Sequence, residues 1–313
     1  MRPRHLLVVL AIALALPPGA TAACAQGLWR PAAAAATVEP AADAPSAAST
    51  PLRGGLHLVR GVAATLVAAR GPEGVLLVDA DAAAGAERLD TVLRRARLGG
   101  VRRVVYTHHH REQVGGGDWF YRAGAEIVSS ARARERLARR RDTTGRMDIP
   151  DALPDRVLQG PLRFRWGTNE VELRPVAPAH TDGDVIVFFR PANVVHVGDL
   201  WRGDGFPHVD LEGGGSVAGT IAVVAALVAE IDDRTIVVSS RGPLGDRRAL
   251  REYLAMLQTV RARVLVQVRA GRTEQEVATS GLAGDFEPRW GTGGVPAERF
   301  LRQLQREVAA LGR

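Results

Sequence analysis

From residue 53 onward the chain alternates short apolar runs of strand character with longer segments of helical period. LHLVRG, ATLVAAR and GVLLVDA are separated by glycine turns and read as three successive strands. In GAERLDTVLRRARLGG the period changes. Leu89, Val92, Leu93 and Ala96 fall on one helical stripe, which a glycine pair closes. RRVVYT then reads as a strand, DWFYRAG as a short helix, AEIVSS as a strand and ARARERLARRR (131–141) as a basic helix. VELRPVA, DVIVFFR and NVVHVGDL give three more strands, SVAGTIAVVAALVAEI an apolar helix, and RTIVVSSRGP a strand ending in a turn; the remainder is largely helical. Strands open both halves and helices follow them, which predicts α/β or α+β layering.

Before residue 53 the pattern is different. MRPRH is basic, LLVVLAIALAL is too short for a comfortable membrane span, and PPGATAACAQG supplies small residues for cleavage. Residues 1–25 therefore read as a signal peptide, with Ala23-Cys24-Ala25 preceding a cut before Gln26. A lipoprotein acylated at Cys24 is the competing reading. Residues 26–52, dominated by PAAAAATVEPAADAPSAASTPL, show no periodic apolar face and read as a flexible Ala/Pro-rich linker. Residues 53–313 form the folded domain. The expected location is periplasmic or secreted, with no transmembrane span in the mature chain. Cys24 is the only cysteine, so the domain has no internal disulfide and no thiolate ligand.

Composition changes the picture little. The chain has 313 residues, 46% of them hydrophobic, enough for a sizeable core. The formal charge is +7 and all the basic residues are arginine, with no lysine. These arginines are scattered, and aromatic residues at 5% are too few for a base-stacking platform, so nucleic acid is not the expected partner. The expected partner is a small-molecule substrate.

The candidate chemistry lies in YTHHHREQVGGGDW (106–119). His108 and His110 are two apart just past a strand, so an extended backbone turns both rings to one side, and His109 away from them. His180, in PVAPAHTDGD, also sits where a strand breaks into a loop, and NVVHVGDL ends a third strand at Asp199. His and Asp drawn from separate strand ends are how a zinc enzyme assembles three protein ligands and keeps one position for water. The glycines 115–117 would let the backbone turn tightly beside such a site. Of the other histidines, His57 reads as structural and His196 as support or packing. His208, in GFPHVD, reads as a loop residue or a late ligand.

THHHREQVGGG resembles the T-H-x-H-x-D-H-x-G-G signature of the metallo-β-lactamase superfamily. The likeness extends from GVLLVDAD through AHTDGDVIVFFRPANVVHVGDLW and GGGSVAGTIAVVAAL to FEPRWGTGG, and it is with exported metal-dependent hydrolases of that fold. It implies a four-layer αββα sandwich with the metals at one edge, and it transfers unevenly. His108, His110 and His180 match the first metal position, and Asp199 matches the bridging aspartate. At the second position, Glu112 stands where the family has aspartate, Gln113 where it has histidine, and Arg241, in SSRGP, where it has the final histidine. The first metal arm is intact and the second is dismantled.

The resemblance thus implies an exported hydrolase with about one zinc per chain, cleaving an ester, thioester, lactone or amide bond through zinc-activated water. Glu112 would orient that water or take its proton. Arg241 would hold a substrate carboxylate or phosphate or stabilise the oxyanion, with Asp199 as its partner. The alternative is a catalytically impaired relative that binds an anionic ligand in the periplasm. A redox di-iron protein is disfavoured, because the second position lacks its ligands.

Overall fold

A computed structural model describes residues 49–139 and 153–311. The signal peptide, most of the linker and the last two positions of the basic run 131–141 lie outside the described residues. The described residues all fall in one compact unit.

The first sheet holds β1 (Ser49–Pro51), β2 (Leu56–Arg60), β3 (Thr65–Gly71), β4 (Gly74–Val78), β5 (Val101–Val105), β6 (Glu126–Ser130) and β7 (Arg156–Leu158) in sequence order. Neighbours are antiparallel up to β4, and parallel from β4 to β7. The second sheet runs β12 (Ile236–Val238), β11 (Val194–His196), β10 (Val185–Arg190), β9 (Asn169–Pro175), β8 (Leu162–Trp166), and its only parallel pair is β11 with β12. The helices are α1 (Ala86–Arg95), α2 (Arg111–Val114), α3 (Gly117–Arg122), α4 (Ala131–Arg139), α5 (Val217–Glu230), α6 (Arg247–Arg269), α7 (Glu274–Ala278), α8 (Glu287–Trp290) and α9 (Ala297–Leu311).

The alternation of side chains along each strand divides the apolar residues into three layers. Val67, Leu76, Val78, Val105 and Val128 of the first sheet meet Val171, Leu173, Val185, Val187 and Phe189 of the second. On the outer face of the first sheet, Leu66, Leu77 and Val104 pack on Leu89 and Leu93 of α1 and Phe120 of α3. On the outer face of the second, Ile186, Phe188 and Val195 pack under Val224 and Leu227 of α5 and Leu257 and Val260 of α6. This is the αββα sandwich expected.

Two couplings tie the layers to their connecting loops. Ser216 caps α5 by accepting from Gly219 N at 2.9 Å, while Glu307 of α9 accepts from the Ser216 hydroxyl and from the Val217 and Ala218 amides at 2.8–3.1 Å. Buried Asp81 accepts from the Val62, Ala63 and Ala64 amides at 2.6–3.2 Å and so shapes the loop between β2 and β3. The strands β1, β7 and β8 add to those read from the sequence. Pairing of β1 with β2 brings Ser49–Pro51, inside the span read as linker, into the sheet.

Candidate metal centre

The parallel strands converge on one edge, and their C-terminal ends supply the site, the usual location in open α/β sheets. β4 delivers Asp79, β5 delivers Thr107 to His110, β11 delivers Asp199 and β12 delivers Arg241. The turn between β9 and β10 delivers His180, and Val185 N donates to Thr107 O at 2.7 Å, which locks that turn to the histidine segment.

The three matched histidines do meet. His110 Nδ1 lies 3.2 Å from His108 Nε2 and 3.2 Å from His180 Nε2, with the rings edge-to-face. Nitrogens on a zinc tetrahedron with bonds of 2.0–2.1 Å stand about 3.3 Å apart. Two of the three separations therefore already match corners around one ion, and the three ligand atoms all lie within 4.8 Å of one another.

The outer nitrogens explain which atoms face inward. His180 Nδ1 is 2.7 Å from the His208 carbonyl oxygen, an acceptor only, so Nδ1 carries the proton and Nε2 a lone pair. His110 Nε2 is 2.9 Å from Asp210 Oδ2, which puts the lone pair on Nδ1. His108 Nδ1 is 3.0 Å from the Thr107 hydroxyl, which itself donates to Asp79 Oδ2 at 2.9 Å, so His108 presents Nε2. Burial, joined by the neighbouring imidazoles, holds His108 well below its ordinary pKa; burial likewise brings His180 down to about 4. The three rings thus turn these nitrogens on one another at contact distance. A cation at the centre satisfies them, so the residues fit a metal ion.

Asp199 stands farther out, with Oδ2 3.9 Å from His180 Nε2 and 3.4 Å from Arg241 Nε. Its Oδ1 is buried without a protein partner among the described residues. Burial pushes its carboxyl up, but the electrostatic influence of His180 and of the Arg241 and Arg202 guanidiniums outweighs this and holds it below the usual range. Arg241 Nη1 reaches the Ala63 carbonyl at 3.4 Å. Glu112, in the first turn of α2, is half-buried and 3.5 Å from Arg111 Nε, and it is not among the groups that hold the three imidazoles. Gln113 is fully buried, and neither of its amide atoms has a protein partner among the described residues.

The remaining histidines have supporting places. His57 Nδ1 is 2.8 Å from the Ser49 hydroxyl, between the edge strands. His196 lies against Thr65 O and Gly198 N at 3.2 Å, in a packing role. His208 contributes its carbonyl, while its ring Nδ1 meets Gln303 at 2.9 Å. His109 is buried against the Asp210 side, its Nε2 3.9 Å from that carboxylate.

Sequence reasoning missed Asp210, Asp79, Thr107 and the His208 carbonyl. Asp79 adopts φ of 65°, the left-handed region, at the end of β4; burial there raises its carboxyl to about 8 despite hydrogen bonds from Thr107. For Asp210, burial pushes the carboxyl up, but hydrogen bonds from His110 and Gly213 N–H outweigh it and hold it well below the carboxylate range.

The family model of the metallo-beta-lactamase superfamily matches residues 58–270, more than half of the chain. No curated protein matches. Among solved structures, a metallo-beta-lactamase from Pontibacter korlensis aligns with a TM-score of 0.58 at 19% identity, covering 68% of this chain and 99% of that one. The stereoselective inverting sec-alkylsulfatase Pisa1 from Pseudomonas sp. aligns with a TM-score of 0.65 at 16% identity, covering 83% of this chain; the match spans half of that longer chain. A HARLDQ-motif mutant of a metallo-beta-lactamase from Cronobacter sakazakii aligns at 0.58 and 18% identity, over 72% of this chain and 99% of that one. No helix among the described residues is long and apolar enough to cross a membrane.

Proposed function

The chain belongs to the metallo-beta-lactamase superfamily, and from that premise we propose that it is an exported hydrolase that works with a single zinc ion held by His108, His110 and His180. The observation that carries this reading is the direction of the three imidazoles, whose outer nitrogens are tied to acceptors while Nε2, Nδ1 and Nε2 face one point. When bound, zinc supplies a Lewis acid that lowers the pKa of water to about 7.

The chain's own residues do the rest. Asp199 Oδ1, buried and without a protein partner, accepts a hydrogen bond from the attacking water and orients it. Arg241, on Oδ2 of the same carboxylate, keeps Asp199 ionised and offers its remaining N–H donors to charge that develops on the substrate. Glu112, half-buried beside Arg111, passes the released proton outward. In the net reaction an ester, thioester, lactone or amide bond to an acyl carbon breaks. The water oxygen ends on that carbon, one water proton ends on the leaving group, and the other is the proton released through Glu112 as the acid product ionises. The Arg241–Asp199 pair also favours a second reading, an anion-binding protein without turnover.

Elemental analysis of protein purified without chelator tests the centre, with close to one equivalent of zinc expected, and none after His110→Ala. Two tightly held equivalents, or an unchanged content in the variant, would overturn the single-zinc site. Turnover of a panel of activated esters, thioesters and lactones separates the hydrolase from the binder: a zinc-loaded protein that cleaves none of them is the binder.

A further inference from the structure

Asp199 joins the histidine cluster to a recess of about 290 Å³ lined by Arg60, Arg202, Arg241, Asp204 and the loop after β2. Three guanidiniums share this recess with one lining carboxylate. They are also loosely held. Arg136 on Asp182, Arg174 on Glu230 and Arg263 on Asp285 each close on their carboxylate with two short bonds, at 2.6–3.0 Å. In the recess, Arg202 meets Asp204 only at 3.2 and 3.3 Å. Arg241 meets Asp199 and the Ala63 carbonyl only at 3.4 Å. Arg60 is exposed and has no carboxylate partner among the described residues.

A guanidinium carries five N–H donors in a planar fork, so Arg241 and Arg202 keep several donors for a further acceptor. Arg241 also lies 3.4 Å from Asp199 Oδ2, itself 3.9 Å from His180 Nε2, which places its charge beside the candidate metal centre. The complement to donors in this surplus is an oxyanion with several lone pairs, bound by charge-assisted hydrogen bonds. The recess equals roughly ten water volumes, taking about 30 Å³ for each water. That admits a carboxylate, sulfate or phosphate with a few attached carbons.

We propose that this recess is the anion subsite of the substrate: the bond to be cut lies at the histidine cluster while an oxyanion group of the same molecule docks on Arg241 and Arg202. The assignment rests on the hydrolase reading for its reaction and on the recess alone for its ligand.

The test uses zinc-loaded protein and two readouts. Inorganic sulfate is titrated calorimetrically into the wild type, Arg241→Gln and Arg202→Gln, with zinc content checked in each. Hydrolysis is compared for 4-nitrophenyl acetate, mono-4-nitrophenyl succinate and 4-nitrophenyl sulfate. Sulfate should bind the wild type and lose about tenfold or more in affinity in Arg241→Gln, as for a charge-assisted pair. The succinate ester should exceed the acetate ester in kcat/KM by a similar factor, with the ratio falling towards one in Arg241→Gln. Preferential turnover of the succinate ester supports the subsite as a remote anchor, whereas turnover of 4-nitrophenyl sulfate in preference to both esters would make the anion the reacting group and overturn the remote docking. Equal sulfate affinity in the wild type and both zinc-loaded variants, or a succinate-to-acetate ratio near one in the wild type, overturns it. If no ester is cleaved, the hydrolase reading fails and the sulfate titration still decides the recess.

Discussion

Asp210→Asn is the most searching perturbation of the metal centre, because it changes one oxygen to nitrogen outside the ligand set. The carboxylate now accepts from His110 Nε2 at 2.9 Å and from Gly213 N at 2.8 Å, and the side chain is 22% exposed. Asparagine retains one acceptor atom for these two donors. If the amide oxygen serves Gly213, the amide N–H faces His110 Nε2 and favours the tautomer with the proton on Nδ1, the atom directed at the other two histidines. Loss of such a support to a metal-ligating histidine costs about 10- to 100-fold in metal affinity, or ~1.4–2.8 kcal/mol. A hydrogen bond to a charged group, at ~1.5–3 kcal/mol, gives the same range independently. Zinc affinity measured at pH 7.5 by competition with a chromophoric chelator should fall accordingly. Urea unfolding of the metal-free variant distinguishes a weakened ligand from a weakened fold. Zinc affinity within twofold of wild type would refute the argument that Asp210 sets the His110 tautomer.

Two further outcomes follow from the same geometry. Gln303 of α9 donates to Val209 O at 2.7 Å and accepts from Val209 N at 3.3 Å, holding the loop whose His208 carbonyl fixes His180. Gln303→Leu should therefore weaken zinc binding about fivefold, the worth of about 1 kcal/mol for one net hydrogen bond; the chelator competition would show no change if the loop is held by other means. His196 is brought down from 6.5 to about 4, chiefly by burial, so between those values the unfolded chain binds the extra proton and stability falls as pH falls. The full contribution of this group, present above pH 6.5, is about 3 kcal/mol at 1.36 kcal/mol per pKa unit. Urea midpoints of metal-free wild type and His196→Asn at pH 7.5 and 4.5 check it, since His108 and His180 are common to both proteins. An equal loss of stability in the two would refute it.

The elements with a strong period were legible in the sequence because burial and period coincide there. Leu89, Val92 and Leu93 of α1 are all buried, as their helical spacing implies. The strands that escaped have weaker signals. In β8, LRFRW alternates, but its arginines face out and its aromatic rings are covered by a charged partner: Arg103 sits 4.9 Å over Phe164 and 5.3 Å over Trp166. β1 and β7 have three residues each, too few to show a period. The site divides along the same line. His108 and His110 face one side because they are two apart, a local fact. Asp210 is 100 residues from the histidine it orients, and His208 is 28 from His180, so only the tertiary fold pairs them. A backbone carbonyl carries no residue identity at all, which puts the His208 contribution beyond any motif.

The second metal position is where local identity and tertiary geometry have to be argued together. Glu112 and Gln113 alone would leave room for a weak cation site, since a carboxylate and an amide oxygen can both coordinate. Arg241 changes that. Its guanidinium lies 3.4 Å from Oδ2 of Asp199, the carboxylate a bridging cation would need, and a guanidinium carries a permanent charge. Like charges a few ångströms apart repel by several kcal/mol even when the protein screens them as strongly as it does near a surface. A second divalent ion would meet that repulsion with Gln113, a neutral amide, in place of an imidazole. The same permanent charge that disfavours a second cation draws an anion. The proposed single zinc at the three histidines and the proposed oxyanion beside Arg241 therefore both lean on that one arginine, and an experiment that moved zinc content to two equivalents would remove the reason for expecting the anion as well.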